Sequence, residues 1–440
     1  MTDATTSEAV SPGLAMVAER ARKDPKGKIL ALARFVDEGA LLRAYWRLRK
    51  DAAAGVDGVT VDQYGKRLKE NILELHGRMK TGGYRHQSIR RAHIPKDRGT
   101  TRPIGVSTVE DKMVQGALRE VLEAVYEQDF LPCSHGFRPG RRAHDALRVL
   151  DGEVHQGRVR YILEADIKSF FDRIDRPKLM TMLRERIADE SLMRLVGKCL
   201  HVGVLDGEEY SEPDEGTTQG SVLSPLLGNI YLHNVLDLWL EREIKPRLRG
   251  HVVLIRYADD FVIGFERQDD AAAVMDVLPK RMAKYGLTLH PEKTRLFAFS
   301  PPNDGDDDQG GATFDFLGFT VHWQRTLGGG WRMGCKTRRA RISRAIKAAT
   351  DWCRGHRHLP VKVQHTILTR KLDGHIRYFG VNGNARSLHV VVDGVKSAWR
   401  KWLNRRSQRS RMTWRRYAAL MAALPLPRPR IVVQLWARRP

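Results

Sequence analysis

The chain has 440 residues, 42% hydrophobic and 29% charged, with four cysteines and a net charge of +24. That length exceeds one compact core and predicts about two to four domains. No run approaches the roughly 18 apolar residues of a membrane span, and the N-terminus lacks the apolar core of a signal peptide, so a cytoplasmic protein with no membrane partner is expected. Cys133, Cys199, Cys335 and Cys353 lie far apart with no CxxC pair, which argues against a disulfide scaffold or an ordinary zinc module.

The charge is uneven. Residues 331–440 hold 27 Lys and Arg against three acids, Asp351, Asp373 and Asp393, which leaves the other 330 residues balanced at 49 of each sign. Six of the nine tryptophans share this basic quarter, unlike a solvated tail. A neutral body with a basic, aromatic-rich end predicts a polyanion held by one part while another does different chemistry.

In chain order, residues 1–27 read as a flexible arm. A helix is expected over Lys28–Lys50, broken at Gly55-Val56-Asp57-Gly58 and resuming over Val61–Lys80. Ser88–Ile94 and Arg102–Val106 read as strands around a charged loop. Helices follow at Glu110–Tyr126, Ala143–Glu153, Pro177–His201, Leu226–Glu243 and Asp269–Tyr285. Between them, Val159–Ala165, His251–Arg256, Phe261–Phe265, Arg295–Phe299 and Phe314–His322 are apolar runs of strand length, giving an α+β fold. After Gly328-Gly329-Gly330 the strand signal stops and a boundary is expected; Arg338–Cys353, Val361–Tyr378, Leu388–Arg405 and Trp414–Ala423 read as basic helices. The acidic run Asp304–Asp308 lacks EF-hand spacing and reads as a solvated loop.

Two strings carry chemistry. In Arg256-Tyr257-Ala258-Asp259-Asp260-Phe261, adjacent carboxylates interrupt a run that would otherwise be buried, and unpaired buried charge costs several kcal/mol. A tight hairpin would hold both at its tip, although an ordinary exposed Asp-Asp turn has the same pattern. Tyr161–Asp166 is a second buried strand ending in an acid. Three such carboxylates, Asp166, Asp259 and Asp260, can hold two Mg2+ ions about 3.5–4 Å apart, an arrangement for nucleotidyl transfer. No GxxxxGK[ST] phosphate loop occurs.

Several blocks, in order, resemble group II intron-encoded reverse transcriptases and maturases from about Ala53 to Ile431: Arg90–Lys96 with Thr101–Gly105, Ser134–Gly140, Ala165–Asp172, Thr218–Leu226, Tyr257–Asp260, Gly286–Thr294 and Phe316–Phe319. The resemblance implies a right-hand polymerase fold, with fingers and a palm whose antiparallel sheet carries the catalytic carboxylates, then an α-helical thumb or maturase domain X. Its divisions would be an N-terminal extension and fingers at 28–108, a fingers and palm core at 109–330, domain X at 331–423 and a basic tail at 424–440.

It further implies Asp166, Asp259 and Asp260 as metal ligands, and Lys96 and Arg102 as neutralising the triphosphate of the incoming dNTP. Phe171 would stand against the sugar and reject a 2′-hydroxyl, with Phe170 as the alternative and core packing expected for one of the two. Gln219 would touch the nucleotide; Gly318 and Lys293 would serve primer and template. Arg405, Arg406, Arg409 and Arg411 would bind nucleic acid, with Trp399 and Trp402 expected to pack the helices. The implied partners are intron RNA, an RNA template, a DNA primer or target and dNTPs, in a bacterial cytosol or nucleoid. The family's endonuclease module has no counterpart in the sequence, so an endonuclease-lacking type is expected. Alternatives are an intron-independent bacterial reverse transcriptase in a CRISPR-associated or phage-defence setting, or a non-catalytic RNA-binding splicing factor.

Overall fold

The computed structural model describes residues 11–95, 101–207, 209–211, 215–217, 220–302, 311–326, 328–407 and 411–436. The N-terminal part is helical: α1 (Pro12–Lys23), α2 (Glu38–Trp46), α3 (Val61–Gly65) and α4 (Leu68–Lys80). The arm expected over residues 1–27 is, from Pro12, a packed helix, because Leu14, Val17 and Ala21 line one face and enter the main core. The single helix expected over Lys28–Lys50 is instead a 3-10 turn at Ala33–Phe35 followed by the shorter α2, whose N-cap Asp37 accepts from the Ala40 N–H. The expected helix over Val61–Lys80 is interrupted between α3 and α4, where Arg67 leaves helical geometry.

Next comes the hairpin of β1 (Ile89–Pro95) and β2 (Thr101–Val106), then the buried helix α5 (Val109–Tyr126), capped by Thr108. After α6 (Ala143–His155) and β3 (Tyr161–Asp166), the expected helix over 177–201 is two, α7 (Arg176–Arg186) and α8 (Glu190–Leu200), because Asp189 caps a new start by accepting from Ser191 and Leu192. Short strands β4 (Val204–Asp206) and β5 (Glu209–Ser211) extend the first sheet in the order β2-β1-β4-β5. Helix α9 (Ser224–Leu232) continues through π-helical turns to Ile244.

The central sheet has order β6-β7-β3-β8, all antiparallel, with β6 (Val252–Tyr257), β7 (Asp260–Phe265) and β8 (Arg295–Ala298); α10 (Gln268–Lys284) joins β7 to β8. Its side chains alternate. Leu163, Ala165, Leu254, Phe261, Ile263 and Phe265 enter the main core with α5, α7 and α9. Ile162, Ile255 and Val262 enter a second core with Leu147 and Leu150 of α6. Burial on both faces is why these strands appear in the sequence as unbroken apolar runs.

A three-stranded sheet, β9 (Phe314–Phe316), β10 (Phe319–Arg325) and β11 (Trp331–Thr337), covers that second face. The sequence pattern ended the strands at Gly328–Gly330. The structure instead pairs Trp331–Thr337 with Phe319–Arg325, so the expected boundary at residue 330 falls inside a hairpin. Met333 and Cys335 of β11 face the core in alternation with Arg332, Gly334 and Lys336, a one-sided strand pattern obscured by the glycine run before it and the basic residues around it.

Helices α11 (Arg339–Gly355), α12 (Val361–Phe379), α13 (Ala385–Asn404) and α14 (Trp414–Ala423) form a third core around Leu368, Leu372, Val395 and Trp399. Trp399 is fully buried and donates its indole N–H to Gln364 at 3.0 Å. The described part of the segment expected as a basic tail packs back onto the molecule: Leu426 joins the third core, Val433 bridges Val381, and Leu435 joins the second core. Cys335 and Cys353 belong to different cores. Among the described residues no helix is long and apolar enough to cross a membrane.

Leu163→Ala, at a fully buried central-strand position, is expected to cost roughly 2–5 kcal/mol of unfolding free energy. Leu73→Ala, where the side chain is 48% exposed, should change it by less than about 0.5 kcal/mol. Urea denaturation of the two variants checks this.

Candidate active site

The acids are placed by strand register. Asp166, the last residue of β3, sits directly opposite Asp260, the first residue of β7. Tyr257 also pairs with Asp260, so Ala258 and Asp259 form a two-residue turn between β6 and β7. Ala258 adopts φ +59, a left-handed conformation that costs a non-glycine residue about 1 kcal/mol. This turn needs support.

The support is Arg256. Its side chain is fully buried and forms a bidentate pair with Asp237, Nε to Oδ1 at 2.7 Å and Nη2 to Oδ2 at 2.5 Å. Nη1 donates to the Asn229 side chain at 2.9 Å and to the Ala258 carbonyl at 3.0 Å. Burial alone would push the Asp237 carboxyl up, yet Arg256, with a contribution from His233, holds it below the usual carboxylate range. Asn229 in turn donates to the Gly136 carbonyl at 2.7 Å. The segment carrying Gly136 lies along β6, with the Arg256 N–H bonded to the Cys133 carbonyl and the His135 N–H to the Arg256 carbonyl, both at 2.8 Å. A Cβ on Gly136 would collide with the backbone of Tyr257 and Ala258. The signal for this network was a cation inside an apolar strand.

Asp166, Asp259, Phe170, Phe171, His290 and Lys293 help line a cavity of about 420 Å³, which Thr101 and Pro103 of β2 border. Phe170 is only 3% exposed and belongs to the main core, whereas Phe171 is half-buried. Lys293, expected at primer or template, is ion-paired to the Asp166 carboxylate. Gly318 lies with Leu317 in a two-residue turn between β9 and β10, at φ +80 and +53 respectively. The Leu317 carbonyl accepts from the Tyr378 hydroxyl at 3.0 Å. Burial first, then the negative charges of Asp259, Asp166 and Glu164, push the Asp260 carboxyl up to about 7, against the opposing pull of the Leu317 backbone.

Carboxylate oxygens at one sheet end, with negative charge crowded around Asp260, are a donor set suited to a hard divalent cation such as Mg2+. As placed, they are not drawn into one ligand group: among the described residues no three His, Cys, Asp or Glu side chains are close enough to hold an ion together. Lys96, Gln219 and Arg409 lie outside the described residues, and Arg102 is placed by its backbone alone, opposite Ile94 in the β1–β2 hairpin. Arg406 donates to the carbonyls of His358 and Leu359 at 3.2 and 3.0 Å. Arg405 lies near the Trp402 ring, 5.7 Å from its centroid. Arg411 is exposed.

The profile of the reverse transcriptase (RNA-dependent DNA polymerase) family matches residues 94–321, a span that includes the central sheet, all three acids, Lys293 and Gly318. The chain belongs to that family, whose palm and fingers fold it shares. Among curated relatives, it is 37% identical over 203 residues to the group II intron-encoded protein LtrA of Lactococcus lactis, covering 46% of this chain and 34% of LtrA. It is 32% identical over 275 residues to protein YkfC of Escherichia coli, covering 55% of this chain and 72% of that protein. It is 33% identical over 125 residues to nuclear intron maturase 4 of Arabidopsis thaliana, covering 28% of this chain and 15% of the relative. The matched stretch thus spans about a third of LtrA.

Arg256→Met leaves Asp237 buried without its partner and should destabilise by about 3–5 kcal/mol. Arg256→Met with Asp237→Leu should recover most of that in urea unfolding. The Ala258 carbonyl still lacks its donor, so amide exchange at Ala258 and Asp259 in the double variant should stay at least tenfold faster than in wild type by hydrogen–deuterium exchange.

Proposed function

We propose that this chain is a group II intron reverse transcriptase and maturase: an RNA-directed DNA polymerase that copies intron RNA from a DNA primer, and that binds the same RNA to assist splicing and retrohoming. The observation that carries this reading is Asp166 set opposite Asp260 beside the Asp259 turn, inside the family match and next to the cavity. The likeness to LtrA and to an intron maturase supports the intron assignment.

In this reading Asp166, Asp259 and Asp260 hold two divalent cations, which when bound supply the charge that activates a primer hydroxyl and eases departure of pyrophosphate. Lys96 and Arg102 neutralise the triphosphate of the dNTP. Phe171 stands against the sugar while Phe170 serves the core, and Gln219 contacts the nucleotide. Gly318 allows close approach of the primer end. The β1–β2 region acts as fingers, the central sheet as palm, and α11–α14 as thumb or domain X. On that module, the exposed Arg405 and Arg411, with Arg409, neutralise phosphates, and aromatic rings pack or stack on unpaired bases.

Asp259→Asn should abolish Mg2+-dependent cDNA synthesis on a primed RNA template while RNA affinity, measured by filter binding, stays within about twofold. Normal synthesis by this variant overturns the assignment. Neutralising Arg405 and Arg411 together should flatten the log–log salt dependence of RNA binding by about 0.7–0.9 for each phosphate no longer neutralised. Arg406→Gln should lower stability in urea unfolding by about 0.5–1.5 kcal/mol and leave that slope unchanged, because its guanidinium is committed to two loop carbonyls.

A further inference from the structure

On the face of the central sheet that carries Asp166, most nearby acids have a cationic neighbour. Glu164 bonds Arg295 at 2.8 Å, Asp315 bonds Arg338 at 2.9 Å, and Asp166 bonds Lys293. The Lys293 pair differs from the buried Arg256 pair in two ways. Its side chain is 57% exposed, on a flexible four-carbon stem able to take other positions. Its backbone, by contrast, is anchored to the strand it serves: the His290 N–H donates to the Asp166 carbonyl at 2.7 Å, and the Lys293 N–H donates back to the His290 carbonyl at 3.1 Å. The ammonium is therefore tethered within reach of Asp166 and of the cavity that both residues line.

Resting on the reading of the three acids as cation ligands, we propose that Lys293 competes with the divalent cation for the Asp166 carboxylate, and so sets the affinity of the site for that cation. The geometry is direct: Asp166 Oδ2 is engaged by the Lys293 ammonium, at the cavity that both residues line together with Asp259. A divalent ion and an ammonium on the same carboxylate repel each other, so cation entry releases Lys293. The freed ammonium stays tethered at the cavity, which raises positive charge where an anionic substrate would enter. Lys293 is thus a positioning residue that couples cation occupancy to the charge of the pocket.

The test uses the full chain without nucleic acid or nucleotide and measures Mn2+ binding directly, by the electron paramagnetic resonance signal of free Mn2+. Lys293→Met should bind Mn2+ about fivefold more tightly than wild type, the scale of an exposed ion pair. Lys293→Arg, which keeps the charge, should bind like wild type, and Asp166→Asn should bind more weakly. Unchanged or weaker binding by Lys293→Met, alongside weakened binding by Asp166→Asn, overturns the competition and leaves the metal assignment standing. Binding insensitive to Asp166→Asn overturns the assignment of Asp166 as a ligand, and the competition with it.

Discussion

A single buried ion pair underlies the geometry of the site. Arg256 and Asp237 are both removed from water, an arrangement whose desolvation is recovered only when every polar group finds a partner. Here the remaining donors of Arg256 are directed to Asn229 and to the Ala258 carbonyl. The strained turn that exposes Asp259 is thereby fixed from below. The pair contributes little to net stability in the usual sense; its consequence is that the acidic turn has one position relative to β3.

The second constraint is layering. Because the central sheet is covered on both faces, its end cannot shift without disturbing two cores. The β9–β10 turn carrying Gly318 is held from the helical module by the Tyr378 hydroxyl, and Tyr378 is itself bonded through its carbonyl to His144 of α6 at 2.7 Å. The C-terminal end of α12 is therefore tied to the sheet, and the returning segment at Val433 and Leu435 closes over it. The basic module is continuous with the second core rather than a separate appendage, which fits the hairpin that crosses residue 330.

Much of the fold was legible because local pattern and tertiary environment agree. The runs at 161–166, 252–257 and 260–265 are apolar on both faces, and helices such as α5, α6 and α10 follow their 3.6-residue period closely. Where they disagree, the sequence misled. Lys28–Lys50 has helical composition, but Asp37 offers a cap that restarts the chain, and Asp189 does the same between α7 and α8. Strand β11 carries the polar alternation of a one-sided strand beside a glycine run, and its partner strand, not its own residues, makes it a strand.

The amino-acid sequence alone determined the identity of the acids, their placement at the ends of buried strands, and the concentration of positive charge in the last quarter, because these depend on residue type and on spacing of two or 3.6. It also carried the family resemblance. Only the tertiary structure decided that Asp166 faces Asp260 across a strand pair, that Arg256 of β6 reaches Asn229 of α9 and Asp237 of its π-helical continuation, and that Lys293 lies on Asp166. Those interactions join residues from 19 to 127 positions apart. Their existence depends on register and on what burial leaves unpaired, and neither is written in any local stretch of the chain.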